Sequence, residues 1–422
     1  MGWDYAGRAA RVLEGLGRLG MTQALVSDPV SVDWLTGVRV EPGERFLGLV
    51  LRAGQAPTLV VNELFLPAGE GAGEGSDTAG EEPGSAAEAG VASGAAFKAG
   101  SASGQDDAAG AHDATRDQRD VTRGLPVAPG VRVVGYSDDD DPLAAVAAAL
   151  DPDAALGVDK DLPARFLLGL RDARAASSFA LASSAVDGAR AVKDAAEQAA
   201  MRVSSAVADA VMARLPGELR EGVTERQLAH RVEELFGEYG AKPYVPFVCI
   251  VAFGPHAAEP HHLPDDTLLR PGDAVLFDMG AVLDGYCSDM TRMFTFGGEA
   301  SDEQRRIYDV VRRANEAAEA RATLGGAYFD ELDAVARGVI EEAGYGPYFT
   351  HRLGHQIGMG GHEPGNLGAG HHELVFPGAC FSIEPGIYLP GGPGARLEDL
   401  LIMHEDGAEV INHFTHELLA VG

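Results

Sequence analysis

An α/β unit followed by a larger α+β unit is the fold class the sequence predicts, and three observations predict it. The chain has 422 residues, more than one hydrophobic core comfortably serves, so two domains are the natural expectation. Short apolar runs punctuated by turn residues fill the first part and are joined by an Ala-rich helical stretch. From about Ala176 onward, long amphipathic periodicities alternate with apolar runs broken by Gly, Pro and Asp.

Residues 1–20 carry Arg8, Arg11 and Arg18 among apolar residues without the continuous apolar core of a signal peptide, and read as an amphipathic helix of the mature fold. Between Thr22 and Phe65, the runs QALVS, FLGLVL and TLVVNELF read as strands, separated by turn signals at Asp28-Pro29 and Ala53-Gly54. From about 69 to 124 the composition collapses to Gly, Ala, Ser and acids, with Val91, Phe97 and Val121 as the only large aliphatic or aromatic residues. Such a stretch buries too little apolar surface to offset its ordering entropy, so a flexible insertion is expected there. VRVVGY resumes as a strand and Pro142 to Leu150 as a helix, which places the first domain at 1–170.

The second domain, 176–422, opens with a long amphipathic helix from Lys193 to Leu215 that stops at Pro216-Gly217. Thr224 and Gln227 form a capping-box pattern at the head of the next helix, which runs to Tyr239-Gly240. The runs VPFVCIVAF, AVLFDMGAVL and YCSDMTRMFTF then read as strands, Asp302 to Ala322 and Tyr328 to Ala343 as helices, and CFSIEPGIYL and RLEDLLIM as strands again.

Lys+Arg 33 against Asp+Glu 64 leaves a net charge of −31, which repels phosphate backbones and anionic lipid, so neither nucleic acid nor membrane is an expected partner. No stretch is long and apolar enough to span a bilayer, and Ala6 stands where the myristoylation pattern requires Ser or Thr. Cys249, Cys287 and Cys380 form neither a CxxC pair nor an even framework, which fits a reducing, cytoplasmic location.

The strongest chemical signal is AVLFDMGAVLDGYCSDMTRMFTF, in which Asp278 and Asp289 interrupt runs otherwise fit for burial. Asp284-Gly285 is a two-residue hairpin signal. If Leu283 pairs with Tyr286, Asp289 lies opposite Gly280, and the two aspartates share a face as diagonal neighbours roughly 7–8 Å apart. Two like charges on a half-buried face are costly unless a cation sits between them. Cys287 alternates onto the face of Asp289, where packing is its expected role. Downstream, HRLGHQIGMGGHEPG supplies His351, His355 and His362 in a Gly-rich context that is not the HExxH helix of a zincin. SIEPG and RLEDL add Glu384 and Glu398, each inside an apolar run. Singly, each of these is more often a core histidine or a surface acid. Together, one imidazole and four carboxylates suit two hard divalent ions that share bridging carboxylates.

In order and spacing, FDMG, SDMTR, HRLGHQIG, HEPG, SIEPG and RLED resemble the pita-bread metallopeptidases, a family that includes prolidase, aminopeptidase P and methionine aminopeptidase. VSDPVSVDWLTG resembles the creatinase-like domain of prolidases. The resemblance implies an α/β creatinase-like N-terminal domain plus an α+β pita-bread catalytic domain. Position by position it implies that Asp278 binds one ion, that Asp289 and Glu398 bridge two, and that His355 and Glu384 complete the other. It further implies that Glu384 moves a proton from water towards the leaving nitrogen, that His362 and His261 (the first His of PHH in FGPHAAEPHH) hydrogen-bond the substrate, and that His351 and Arg396 orient the ligands. The hard donor set favours Mn²⁺, with Co²⁺, Zn²⁺ and Fe²⁺ as alternatives.

The implied reaction is hydrolysis of the bond between an N-terminal residue and proline in short peptides, by a homodimer. A metal-free creatinase-type hydrolase or a pita-bread binding module would have lost ligands, and this chain has lost none. Methionine aminopeptidases generally lack a large creatinase-like domain, whereas about 170 residues precede the catalytic half here. Dipeptidase and aminopeptidase P activities part at the proline carboxylate, which a bidentate arginine would read. Prolidases place such an arginine after the HE motif, but residues 362–384 contain none. Arg45, and next to it Arg39, flank the Pro-Gly turn of TGVRVEPGERFLGLV and are candidates to reach a partner's site.

The composition of the insertion generates a first prediction. Deleting residues 70–123 leaves solubility and the melting transition of the chain unchanged, because the segment has too few apolar groups to hold a fold together. Aggregation or a large drop in melting temperature of the deleted protein would contradict it.

Overall fold

The computed structural model describes residues 2–66, 127–243 and 249–422; the insertion expected at about 69–124 lies outside the described residues. Helix α1 (Tyr5–Arg18) is capped by Asp4 and leads into β1 (Gln23–Val26). Asp28-Pro29, expected as a turn, is instead the start of helix α2 (Pro29–Thr36). The Asp28 carboxylate accepts from the Ser31 backbone N–H at 2.9 Å, and Pro29 takes the first helical position, where an N–H is not needed. There follow β2 (Leu47–Arg52), β3 (Thr58–Asn62), β4 (Arg132–Tyr136), α3 (Pro142–Ala149), β5 (Ala155–Val158), α4 (Ala164–Asp172), β6 (Ser178–Leu181) and α5 (Ser183–Ala191).

These strands form one sheet in the order β4-β3-β2-β1-β5-β6, antiparallel at β1–β2 and β2–β3 and parallel elsewhere. Burial alternates with the pleat. Leu49, Leu59 and Val61 pack with Val12 and Leu16 of α1, Trp34 of α2 and Val186 of α5, whereas Leu25, Val50 and Val60 pack with Val146 of α3 and Leu170 of α4. The break placed between 170 and 176 runs from the last turn of α4 to just before β6, and the sheet continues to Leu181. SSFAL carries too few apolar residues to signal a strand; its pairing with β5 makes it one.

The second half begins with α6 (Ala195–Met212), where Asp194 and Glu197 form a capping box, and α7 (Glu225–Glu238), where Thr224 and Gln227 do so as the sequence predicts. The remaining elements are β7 (Lys242–Pro243), β8 (Ile250–Phe253), β9 (Ala274–Met279), β10 (Ala281–Leu283), β11 (Tyr286–Cys287), β12 (Met290–Phe296), α8 (Asp302–Thr323), α9 (Phe329–Glu342), β13 (Gly354–Gln356), β14 (Glu363–Leu367), β15 (Cys380–Ile383), β16 (Gly386–Tyr388), β17 (Gly394–Arg396), β18 (Asp399–Met403), β19 (Ala408–Val410) and β20 (Leu419–Val421). The two larger sheets run β20-β12-β9-β8 and β14-β13-β15-β18-β19. Helices α6 and α7 close one core over Phe277 and Phe294, and α8 and α9 close another over Phe381 and Leu401.

The hairpin register is the one the sequence implies. Leu283 pairs with Tyr286 and Met279 with Met290, and the turn residues Asp284 and Gly285 have φ of 50° and 92°, as a type I′ turn requires. Gly280 allows the close approach beside Asp289, since a Cβ there would lie 2.1 Å from the Ser288 carbonyl oxygen.

The halves are joined by buried polar contacts. Glu197 Oε1 accepts from the Trp34 indole N–H at 2.7 Å and the Tyr286 hydroxyl at 2.8 Å, and lies 3.2 Å from Arg8 Nη2. Arg8 and Glu197 side chains are each 2% exposed, so neither charge has water to fall back on. Glu197→Met therefore strands a buried guanidinium and lowers stability by about 3–5 kcal/mol in denaturant titration. The double change Arg8→Met, Glu197→Met costs less than Glu197→Met alone; the opposite order would show that the charges are not coupled.

Candidate metal centre

The strands bring acidic side chains inward from both sheets. On β9, Asp278 continues the face of Ala274 and Leu276. On β12 and the residue before it, Asp289 and Thr291 continue the face of Met293. In the second sheet Glu398 shares the face of Leu400 and Ile402, and His355 that of Ile357. A bridge between Thr291 and Glu398 ties the two sheets at this point. The result is a cavity of ≈ 970 Å³ whose wall carries Asp278, Asp289, His355, Glu384 and Glu398, with His261, His351, His362, Arg352 and Arg396 around them.

Within it, one ligand atom each from Asp289, His355 and Glu398 lie within 4.8 Å of one another. His355 Nε2 is 3.5 Å from Glu384 Oε1 and 3.9 Å from Asp289 Oδ2. His355 Nδ1 donates to the Gln356 carbonyl at 3.1 Å, and burial pulls the imidazole down to about 3, so it is neutral with Nε2 aimed at the carboxylates. Burial, with the charges of Asp278 and Glu384 adding to it, pushes the Asp289 carboxyl well above its usual range. Glu398 is raised by burial and then by Asp289, Glu384 and Asp278, and burial raises Glu384 to about 7. Asp278 Oδ1 and Asp289 Oδ1 are buried without a hydrogen-bond donor. Orphaned carboxylate oxygens, crowded like charges and a neutral imidazole are what a pair of hard divalent cations would satisfy, so the residues fit such ions.

Contrast the cluster of Glu225, His256, His262 and Asp265, which also has metal-like proximity. There Glu225 already accepts from the Phe253 N–H at 2.8 Å, His256 at 2.8 Å and His262 at 2.7 Å, so its oxygens are occupied.

Around the carboxylates runs a frame of donors. Arg396 Nη2 donates to Asp278 Oδ2, Nη1 to the Tyr388 hydroxyl at 3.0 Å and Nε to Thr291 Oγ1 at 3.2 Å, while Thr291 in turn donates to Glu398 Oε2 at 2.8 Å. His351 Nε2 lies 2.8 Å from the Tyr388 hydroxyl, and burial holds His351 down at about 4. Ser382 Oγ donates to Glu384 Oε1 at 3.3 Å. The His362 loop is fixed through its neighbour Glu363, whose oxygens accept from Arg190 at 2.6 Å and Lys193 at 2.8 Å. Burial works against that charge, but Lys193 and Arg190 overrule it and hold the carboxyl at about 2.

Thr291, Tyr388, Glu363 and Arg352 are absent from the sequence-derived set, although each lies inside a quoted motif. The signal for Tyr388 is its alternation with Glu384 and Gly386; Thr291 alternates with Asp289 in the same way. The candidate arginines sit elsewhere. Arg45 makes a bidentate pair with Asp138 at 2.8 Å for both bonds, and Arg39 Nε donates to Asp33 at 2.6 Å, beside the hairpin turn at Gly285. Neither lines the cavity of its own chain. Cys287 is buried, with Sγ 3.4 Å from the Met359 carbonyl, a packing position.

Residues 199–405 match the sequence profile of metallopeptidase family M24. The probable dipeptidase PepE of Mycobacterium tuberculosis is 35% identical over 419 residues, spanning 99% of this chain and 96% of the mycobacterial protein. Among solved structures, dipeptidase PepE from Mycobacterium ulcerans superposes with a TM-score of 0.78 at 32% identity, covering 99% of this chain and 98% of that one. A recombinant prolidase from Thermococcus sibiricus superposes with a TM-score of 0.80 at 29% identity, over 100% of both chains.

The carboxyl shifts set a pH dependence. An acid raised in the folded state, as Glu384 is to about 7, stabilises the metal-free fold while protonated and withdraws that contribution as pH rises from its ordinary value through 7. A divalent cation reverses this at high pH, where protons no longer compete for the oxygens. The gain in melting temperature on adding Mn²⁺ to metal-free protein is therefore larger at pH 8 than at pH 5.5. Calorimetry in buffers of different ionisation enthalpy detects proton release on binding near neutral pH. Equal gains at both values would rule out competition at these carboxyls.

Proposed function

The chain belongs to metallopeptidase family M24, with a creatinase-like N-terminal domain and a pita-bread catalytic domain, and on that premise we propose that it hydrolyses Xaa-Pro dipeptides. One observation carries the reading: Asp278, Asp289, His355, Glu384 and Glu398 crowd one cavity wall with orphaned carboxylate oxygens, and His261 and His362 stand beside them. A metal-free hydrolase or a binding module has no use for such a cluster. The names prolidase and dipeptidase carried by the relatives support the substrate class.

In this proposal Asp278, Asp289, His355, Glu384 and Glu398 would together hold the divalent ions. Bound divalent ions supply Lewis acidity, polarising the scissile carbonyl and lowering the pKa of water. The chain's own groups do the rest. Glu384, on the cavity wall, accepts a proton from water and delivers it to the proline nitrogen as the C–N bond breaks. His362 and His261 donate hydrogen bonds to the substrate and to the oxyanion of the tetrahedral state. Arg396, Thr291, Tyr388 and His351 keep the carboxylates from moving apart as charge redistributes.

Four carboxylates and one imidazole form a hard donor set, so Mn²⁺ is the proposed ion; Co²⁺, Zn²⁺ and Fe²⁺ accept the same donors. Three buried free cysteines support a reducing cytoplasmic location, and a homodimer is the proposed assembly. Among the described residues no helix is long and apolar enough to cross a membrane. A second reading, aminopeptidase P activity on longer Xaa-Pro peptides, is favoured by a further cavity of ≈ 360 Å³ beyond His351 that could receive residues after the proline.

Asp289→Asn and Glu398→Ala lose bound metal together with turnover, by at least about 10³-fold in kcat. His362→Ala keeps its metal and loses about 10²–10³-fold, the scale of a lost oxyanion donor. Metal analysis beside Xaa-Pro assays, before and after metal removal and Mn²⁺ restoration, reads both. Full activity of either bridging variant in metal-free buffer sinks the two-metal reading, and loss of metal from His362→Ala makes that residue a ligand instead.

A further inference from the structure

An arginine stands at the cavity mouth that the assigned machinery does not use. Arg352 precedes β13, three residues before His355, and lines both the carboxylate cavity and the adjoining cavity of ≈ 360 Å³. Its Nε is tethered to the Gly354 carbonyl at 3.1 Å. No partner of its two terminal nitrogens occurs among the described residues. Arg39, Arg45 and Arg337, by contrast, all pair with aspartates. Its side chain is exposed, yet its charge bears on His362, on His355 and on Glu384, so it sits within electrostatic reach of the reacting groups.

We propose that Arg352 is the specificity-determining residue that receives the free carboxylate of a dipeptide substrate, at the junction of the two cavities. The inference rests on the dipeptidase reading above. In a dipeptide the terminal carboxylate lies only about one residue, ~3.8 Å, past the scissile carbon. A group that reads it must therefore stand just beyond the metal ligands and the substrate-facing histidines. Arg352 stands there, with the planar fork of its guanidinium uncommitted and its Nε already fixed, an arrangement suited to bidentate capture of a carboxylate. Its position also explains how the site can do without an arginine between His362 and Glu384. The reader comes from the segment just before β13 rather than from the stretch after His362, and Gly368, just past the end of β14, leaves room, since a Cβ there would lie 3.2 Å from Arg352 Cβ. A peptide that continues past proline presents no carboxylate here; its chain would have to pass the guanidinium into the second cavity.

The test uses the Mn²⁺-loaded full chain and compares kcat/KM for a dipeptide, its C-terminal amide and the tripeptide extended by one residue. Arg352→Ala lowers the ratio of dipeptide to amide by about 10- to 100-fold, the scale of one charge-assisted hydrogen-bonded contact. The loss appears mainly in KM, and Arg352→Lys recovers part of it, because charge returns without the fork. Metal content and melting temperature are measured beside each variant, so a folding defect is seen as such. Equal losses on dipeptide and amide, or none, overturn the proposal, as does a dipeptide-selective loss in Arg45→Ala or Arg39→Ala with Arg352→Ala silent. If the wild type prefers dipeptides without proline, the Xaa-Pro reading fails, and the same amide comparison on the preferred dipeptide still decides the role of Arg352.

Discussion

Four carboxylates that repel one another are held in one buried place, and much of the catalytic half is arranged to hold them there. Asp278, Asp289, Glu384 and Glu398 are buried or nearly so, and two of their oxygens have no donor. Burial alone makes each charge costly, and each neighbour adds to the cost. The frame offsets part of it. Arg396 of β17 donates to Asp278, and through Thr291 and Tyr388 it connects β9, β12, β16 and Glu398, just before β18, into one hydrogen-bonded network. What remains uncompensated is the charge that the proposed cations would neutralise. A site built this way is stable enough to fold and tense enough to bind metal.

The N-terminal domain takes part in that architecture through two polar junctions. One is the Arg8, Trp34, Glu197 and Tyr286 contact, which reaches the tip of the hairpin that carries Asp289. The other runs from Asp28 and Ser31 of the first domain to Arg190, and from Arg190 and Lys193 to Glu363, the residue after His362. Glu363 is thus a positioning residue whose charge is locked by two cations, and the loop it anchors cannot move without breaking buried ion pairs. The first domain is therefore tied through buried ion pairs to the residue that follows His362.

Much of this was legible in the sequence because the physics is local. The Asp284-Gly285 turn dictates a register, the register places Asp278 and Asp289 on one face, and period-2 alternation does the same for the segments around Glu384 and Glu398. The capping box at Thr224 and the stop at Gly240 fix α7 in the same way, whereas α6 ends at Met212, before Pro216-Gly217, which lie in a short 3-10 turn. What was illegible depends on distant partners. β6 is a strand only because β5 offers it an edge, and Asp28-Pro29 reads equally as a turn or a helix start until the following residues find a sheet to pack on. Thr291, Tyr388 and Arg352 lie within recognised motifs, but their roles depend on groups far along the chain, as Thr291 on Glu398, which no spacing rule reports.

The distribution of charge bears on recognition in a way the net value does not. A surface of −31 is screened beyond about 8–10 Å at ordinary salt, so it sets solubility more than it sets which ligand enters. Many arginines are absorbed by neighbouring acids, as in the pairs with Asp33, Asp138 and Asp309. At the site two departures from that balance meet: the buried carboxylate cluster, which is in deficit of positive charge, and the Arg352 guanidinium at its rim, whose terminal nitrogens have no partner among the described residues. A dipeptide is a zwitterion with its ammonium at one end and its carboxylate at the other. Laid across the cavity, it brings its carboxylate to the cation at the rim, so the uncommitted Arg352 guanidinium gives the substrate its direction.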